Sequence, residues 1–148
     1  MGRNSLAVAL LLLAAAPPVC AAEVVLVLEG LESASGEVQV DLFAEAHAAN
    51  FPYADRGVQS EIRTPASALL EAGASIALGD LAPGRYALFA MHDANGNGDL
   101  DRNLFGIPTE GYGFSNGATG TIGPPSFDAA AIQVPADGPT RIVIRLAH

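Results

Sequence analysis

Asp93, Asn95, Asn97, Asp99 and Asp101 stand at alternate positions of the run Asp93-Ala-Asn-Gly-Asn-Gly-Asp-Leu-Asp101. Oxygen-bearing residues at that spacing suit a hard cation such as calcium, because a chain wrapped round an ion turns every second side chain inward. Glycine at the sixth position permits the sharp bend, and the main-chain carbonyl of the seventh adds an oxygen. Here Gly98 is sixth, Asp99 seventh and Leu100 the apolar eighth. Asp93, Asn95, Asn97 and Asp101 would supply side-chain oxygens and Asp99 its carbonyl. Position twelve, where such loops carry a bidentate Glu, is Leu104. The flanks read as a strand and a Gly-rich loop, so the pattern is not an EF-hand. A closing carboxylate would have to come from Glu110 or Asp128. With so few charged ligands the expected affinity for calcium is weak, on the order of 10⁻⁴–10⁻³ M. The same residue types also build turns with no ion, since Asn, Asp and Gly tolerate left-handed backbone and bond their own main chain.

The loop continues to Gly120 and carries Glu110, Tyr112 and Phe114 among glycines. Aromatics in that setting can stack on a sugar or a peptide. They can equally pack down as plugs on the sheet that bears the loop. Catalytic arrangements are poorly supported. His92, Ser115 and an Asp make a triad on paper only, without a nucleophile elbow, and no Cys nucleophile, phosphate loop, zinc cluster or dinucleotide fingerprint is present. The expectation is a protein that is not an enzyme.

The elements that must hold this loop are strands. Glu23–Leu28 is a continuous β-branched run that reads as buried on both faces. Val38–Phe43 alternates, with Val38, Val40 and Leu42 on one face and Gln39 and Asp41 on the other, and with the first run it suggests a hairpin across Gly30–Gly36. Ala44–Arg56 reads as a loop with one helical turn, Val58–Arg63 as an edge strand, Pro65–Gly73 as a helical turn or loop, and Ser75–Leu78 as a short strand. The Pro83-Gly84 turn then delivers Tyr86–Met91, apolar on both faces and therefore central. Ala129–Val134 and Thr140–Leu146 suggest a C-terminal hairpin, with Ile142, Ile144 and Leu146 inward. Gly123-Pro124-Pro125 is a candidate for a cis bond. Short strands with frequent turns and no long helix give an all-β fold, a single antiparallel β-sandwich of about seven strands with a long Gly-rich loop.

Compartment and partners follow from the N-terminus and the charge. Arg3, the apolar run Leu6–Ala16 and the small residues Cys20-Ala21-Ala22 fit a signal peptide over 1–22, leaving a domain at 23–148. The apolar run is too short for a bilayer core that needs about twenty residues, so no membrane span is expected in the mature chain. Val19 and Pro17 disfavour lipidation of Cys20. Cleavage after Ala22 would leave no cysteine, so an exported, periplasmic or secreted domain must fold without disulfides. The 148 residues hold 7 basic residues, all Arg, against 16 acidic ones, a formal charge of −9. Such a surface repels phosphate backbones, so nucleic acid is not an expected partner.

Leu81-Ala-Pro-Gly-Arg-Tyr86 resembles the L-P-P-G-x-Y signature of transthyretin-like, or prealbumin-like, sandwiches, in which the Tyr ties a loop back to the sheet. The resemblance gives that role to Tyr86. The run from His92 to Asn116, followed by Gly-Pro-Pro-Ser-Phe-Asp-Ala-Ala, resembles a narrower group over nearly the whole domain. This is the bacterial exported family of unknown function numbered twenty-one forty-one. It implies a sandwich and assigns no activity. The expected function is an exported, non-catalytic module, calcium-stabilised at the turn. A protein or glycan would be its partner on the loop that bears Glu110, Tyr112 and Phe114. A purely structural envelope domain is the alternative, and a cryptic hydrolase the third reading.

Overall fold

The computed structural model describes residues 22–148. All of the expected signal segment except Ala22 therefore lies outside the described residues. Eight strands form two sheets: β1 (Ala22–Glu29), β2 (Glu37–Ala44), β3 (Ser60–Pro65), β4 (Ser75–Leu81), β5 (Gly84–Asp93), β6 (Tyr112–Phe114), β7 (Ile132–Val134) and β8 (Thr140–Arg145). Sheet one has the order β4-β1-β8. Sheet two has the order β3-β2-β5-β6, and β7 also pairs with β5. Two short helices, α1 (Ala66–Glu71) and α2 (Phe127–Ala130), lie between strands.

The fold is the expected all-β sandwich. All pairings are antiparallel except β1 with β8, which runs parallel, so sheet one is mixed. Its core follows from alternation. Val24, Leu26 and Leu28 of β1 and Ile142 and Ile144 of β8 meet Val38, Val40 and Leu42 of β2 and Tyr86, Leu88 and Ala90 of β5. Ala66 and Leu69 of α1 close one end of this core. Tyr86 plays the role that the resemblance implied, its hydroxyl donating to the carbonyl of Ala82 at 2.9 Å across the Pro-Gly turn.

Four expectations change. β1 is buried on one face only, because nothing among the described residues covers the outside of the three-stranded sheet, and Val25 and Val27 remain half-exposed. β1 and β2 are not a hairpin, since β1 pairs with β4 and β8 while β2 pairs with β3 and β5. β7 and β8 likewise belong to different sheets. In both cases the intervening turn crosses from one sheet to the other instead of returning along the same one. The cis peptide among the described residues is Phe51-Pro52, so the bonds at Pro124 and Pro125 are trans.

Strand β5 is the middle of sheet two. It pairs along its length with β2, and on its other side with β6 and β7. Its second face bears Ala87, which packs with Phe43, Phe51, Phe114, Phe127 and Ala130 in a separate outer cluster. Phe51 sits at its centre, edge-on to Phe43, Phe114 and Phe127. The short 3₁₀ segment Glu45–Asn50 and α2 therefore serve as partial covers for the outer face of sheet two.

Strand β6 also stitches the two sheets together. Tyr112 and Ala147 exchange main-chain hydrogen bonds at 3.0 and 2.8 Å. This close approach needs a residue without a side chain, because a Cβ on Gly113 would lie 2.5 Å from the carbonyl oxygen of Arg145 and 2.7 Å from Ile144 Cγ2. Gly113→Ala is expected to cost about 3 kcal/mol by overpacking, read as a lower urea midpoint at unchanged slope. An unaltered midpoint would mean that β6 is not held against β8.

Candidate functional site

The turn after β5 is organised by one buried carboxylate. Asp93 is 0 % exposed. Its Oδ1 accepts the main-chain N–H of Gly96 at 2.7 Å and of Asn97 at 3.1 Å, and its Oδ2 accepts that of Gly98 at 2.7 Å. Asn95 and Asn97 repeat the device further along, their side-chain oxygens accepting the N–H groups of Asn97 and Asp99. Gly96 and Gly98 take the left-handed φ of +73° and +84° that the winding requires. Gly36 presses against the start of the turn so closely that a Cβ there would overlap the main chain of Asp93 and Ala94.

Glu110 closes the turn. It is 8 % exposed, and its two oxygens accept the N–H groups of Ala94 at 2.9 Å and Asp101 at 3.1 Å, the two ends of the loop. Asp128 goes elsewhere, to Arg85 at 2.6 Å. Asp101 accepts the side-chain amides of Asn95 and Asn97 at 2.6 and 2.9 Å. Asp99 is exposed. Among the described residues no three His, Cys, Asp or Glu side chains converge as a metal-holding group. Asp93, Asp101 and Glu110 are engaged with the turn's own N–H donors.

The turn is one wall of a groove of about 1060 Å³. Its floor is the outer face of sheet two, and strand register lays that floor down in two rungs. One rung runs Arg63, Gln39, Met91, Tyr112, and the other Glu61, Asp41, Phe89, Phe114. The floor thus grades from charged at β3 to aromatic at β6. Gly98, Asp99 and Leu100 stand on one side, Tyr53 and Asp55 on another, and the Gly117–Gly120 stretch on a third. The aromatics expected to form a contact surface are both here. Tyr112 is half-buried, whereas Phe114 is buried and stacks with Phe89 and Phe51. Beyond Asp101 the same loop carries Leu104 and Phe105 fully into solvent, at 102 % and 89 % exposure.

Asp41 is the residue that sequence reading missed. Alternation put it and Gln39 opposite the core, where a strand ordinarily meets water. They are instead 2 % and 6 % exposed, under the loops that line the groove. Gln39 Nε2 donates to both carboxylate oxygens of Asp41, at 3.0 and 3.1 Å, which leaves Gln39 Oε1 buried without a partner. Burial pushes the Asp41 carboxyl up from 3.8 to about 6; the Gln39 bond opposes this, Glu61 adds to it and Arg63 draws it partly back. The nearest cation, Arg63, is paired with Glu61 at 2.7 Å and Glu37 at 2.9 Å. An anion sequestered with one neutral partner is costly for a fold and usual for a binding site.

The residues of the paper triad are tied to main chain. His92 Nε2 bonds the carbonyl of Ser35 at 2.8 Å. Ser115 Oγ accepts the N–H of Leu88 at 2.8 Å and donates to the carbonyl of Ala130 at 2.6 Å. Each thus fixes a connection between segments, and neither bonds the other.

The family model described as "Uncharacterized protein conserved in bacteria (DUF2141)" matches residues 26–143. That span holds all of sheet two, most of sheet one, the turn and nearly all of the groove. No curated protein and no solved structure matches the chain.

The raised carboxyl sets a pH dependence with a definite sign. The unfolded chain releases the Asp41 proton near 3.8 and the folded chain only near 6. Between those values the native state holds the extra proton, so stability falls as pH rises, and the penalty is complete above about pH 6. Asp41→Asn should therefore stabilise the protein at pH 7 by up to about 3 kcal/mol, with the gain vanishing near pH 3.5. Urea melts at the two pH values measure this. A destabilised variant at pH 7 would show that the ionised carboxylate is a structural contact.

Proposed function

Since the chain belongs to this family of uncharacterized bacterial proteins, we propose from its geometry that it is an exported, non-catalytic binding module. Its ligand surface is the groove over sheet two, bounded by the loop that bears Glu110, Tyr112 and Phe114. The observation that carries this reading is the groove itself. It has the size of a small-molecule site, an aromatic side, and a buried amide oxygen, Gln39 Oε1, left without a partner. Export is supported by the N-terminal pattern of Arg3, Leu6–Ala16 and Cys20-Ala21-Ala22. The non-catalytic reading is supported by His92 and Ser115, whose reactive atoms are already committed to main chain.

We propose further that calcium staples the 93–101 turn. Glu110 supports this, because it supplies the closing carboxylate that Leu104 cannot. Carboxylate oxygens that accept a single N–H keep a second lone pair for an ion. Entry of a cation would displace the Asn95 and Asn97 amides from Asp101, an exchange that fits weak affinity. At ten times the Kd, calcium would add about 1.4 kcal/mol, or about 5 °C in Tm. A melt in calcium against chelator should display that gap, and Asp101→Asn should close it while leaving the chelated Tm nearly unchanged. Identical wild-type curves would remove the ion from the account. Asp93→Ala is the wrong variant for this purpose, since it strips three N–H groups of their acceptor.

For the groove, native mass spectrometry of protein recovered from its producing cell is expected to show a bound small molecule or glycan that Tyr112→Ala loses at unchanged Tm. An adduct indifferent to that change would place the ligand elsewhere. A variant that unfolds would make Tyr112 a plug, and the structural-domain reading would then take over.

A further inference from the structure

The buried polar pair on the floor of the groove, Asp41 and Gln39, has more acceptors than donors. Asp41 has two oxygens and one neutral donor, Gln39 Nε2, and Gln39 Oε1 has none. Two of the arginines lining the groove are held in ion pairs, Arg63 with Glu61 and Glu37 and Arg145 with Glu29, while Arg102, on the loop wall, donates to the Gly106 carbonyl. Along the same two rungs lie two half-buried rings, Phe89 beside Asp41 and Tyr112 beyond Met91.

Resting on the reading of this groove as a ligand surface, we propose that its ligand is a small organic cation. The head is a primary ammonium set against Asp41 and Gln39, and an apolar stem lies over Phe89 and Tyr112. An ammonium brings three donors and the missing positive charge, so it answers both the buried carboxylate and the orphaned amide oxygen. A neutral polyol would satisfy Gln39 Oε1 and leave the carboxylate uncompensated. An anion would face a buried like charge. The aromatic faces add attraction for a desolvated cation, and the volume of about 1060 Å³ admits a stem of drug-like size.

Ligand binding should also depend on pH through Asp41. The other ionisable groups facing the groove are Glu61 and Arg63 from β3, and Tyr53 and Asp55 from the segment before it. Asp99 and Arg102 from the turn's loop, Tyr112 from β6 and Arg145 from the end of β8 complete the set. Glu61 already holds an ion pair with Arg63, so the carboxylate without a cation partner on the floor is Asp41.

The test is calorimetry with phenethylamine as probe at pH 7.5, with 2-phenylethanol as its neutral counterpart and NMR shifts at Phe89 and Tyr112 to locate binding. Phenethylamine should bind at least tenfold tighter than the alcohol, and Asp41→Asn should erase the preference. Lowering the pH to 5 should weaken the amine about tenfold in the wild type, as a carboxyl titrating near 6 loses its charge, and leave Asp41→Asn unchanged. Glu71→Gln, an exposed change on α1 away from the groove, should stay within about twofold of wild type. Equal binding of amine and alcohol at Phe89 and Tyr112 would sink the cation and leave the groove standing as a ligand site. Tighter binding of Nα-acetyl-lysine methylamide than of phenethylamine would assign the head to a peptide side chain and overturn the small amine. If no probe moves Phe89 or Tyr112 the inference fails, and the groove then rests on the Tyr112→Ala adduct experiment.

Discussion

Strand β5 is apolar on both faces, and that obliges the protein to cover sheet two twice. The inner face is covered by sheet one, through the alternating aliphatic residues of β1 and β8. Among the described residues no third sheet covers the outer face, so connections do, and they bring Phe51 and Phe127 onto Phe43, Ala87 and Phe114. Burying large rings in this way is worth roughly 1.5–3 kcal/mol each, reason enough for a loop and two short helical turns to lie flat. The cover stops short of two rungs. Gln39, Asp41, Phe89, Met91 and Tyr112 are left under the edges of the loops, beneath a cavity instead of under packed side chains.

The wall on the far side of that cavity depends on Asp93. A loop this rich in Gly and Asn has many conformations in the unfolded chain, and ordering it costs backbone entropy at every residue. Three N–H groups converging on one buried carboxylate, and two more on Glu110, offset part of that cost with charge-assisted bonds. The turn can therefore stand without an ion, and a cation would strengthen it only by the difference between its ligation and the amide bonds that it replaces.

Much of this was legible in the residues, wherever a local pattern has one physical outcome. Alternation along Val38–Phe43 and Thr140–Leu146 identified the inward faces, and two apolar faces on Tyr86–Met91 placed that strand centrally. Pairing was not legible in the same way. A turn such as Gly30–Gly36 looks alike whether the chain folds back along its own sheet or crosses to the other, and here it crosses. The run Glu23–Leu28 looked buried on both faces, yet only tertiary context reveals that sheet one has a side bare of the described residues. Asp41 is the sharpest instance. A carboxylate on the polar phase of an alternating strand is ordinarily solvated, and only the lie of distant loops, Pro52–Asp55 and Gly117–Pro124, places it out of water. Glu110 stood as a candidate closing group, but its arrival at both ends of the turn depends on a loop path that spacing does not specify.

The central claim is that an unpaired carboxylate is held out of water on the floor of this groove, and the direct measurement is its titration. Carbon-13 NMR of the side-chain carboxyl of Asp41, followed from pH 3 to pH 8 in the ligand-free protein, should give a midpoint near 6, with the resonance assigned by its loss in Asp41→Asn. A midpoint near the ordinary 3.8 would mean that Asp41 is hydrated or already paired with a cation, and the account of the groove as a site waiting for a donor would be wrong.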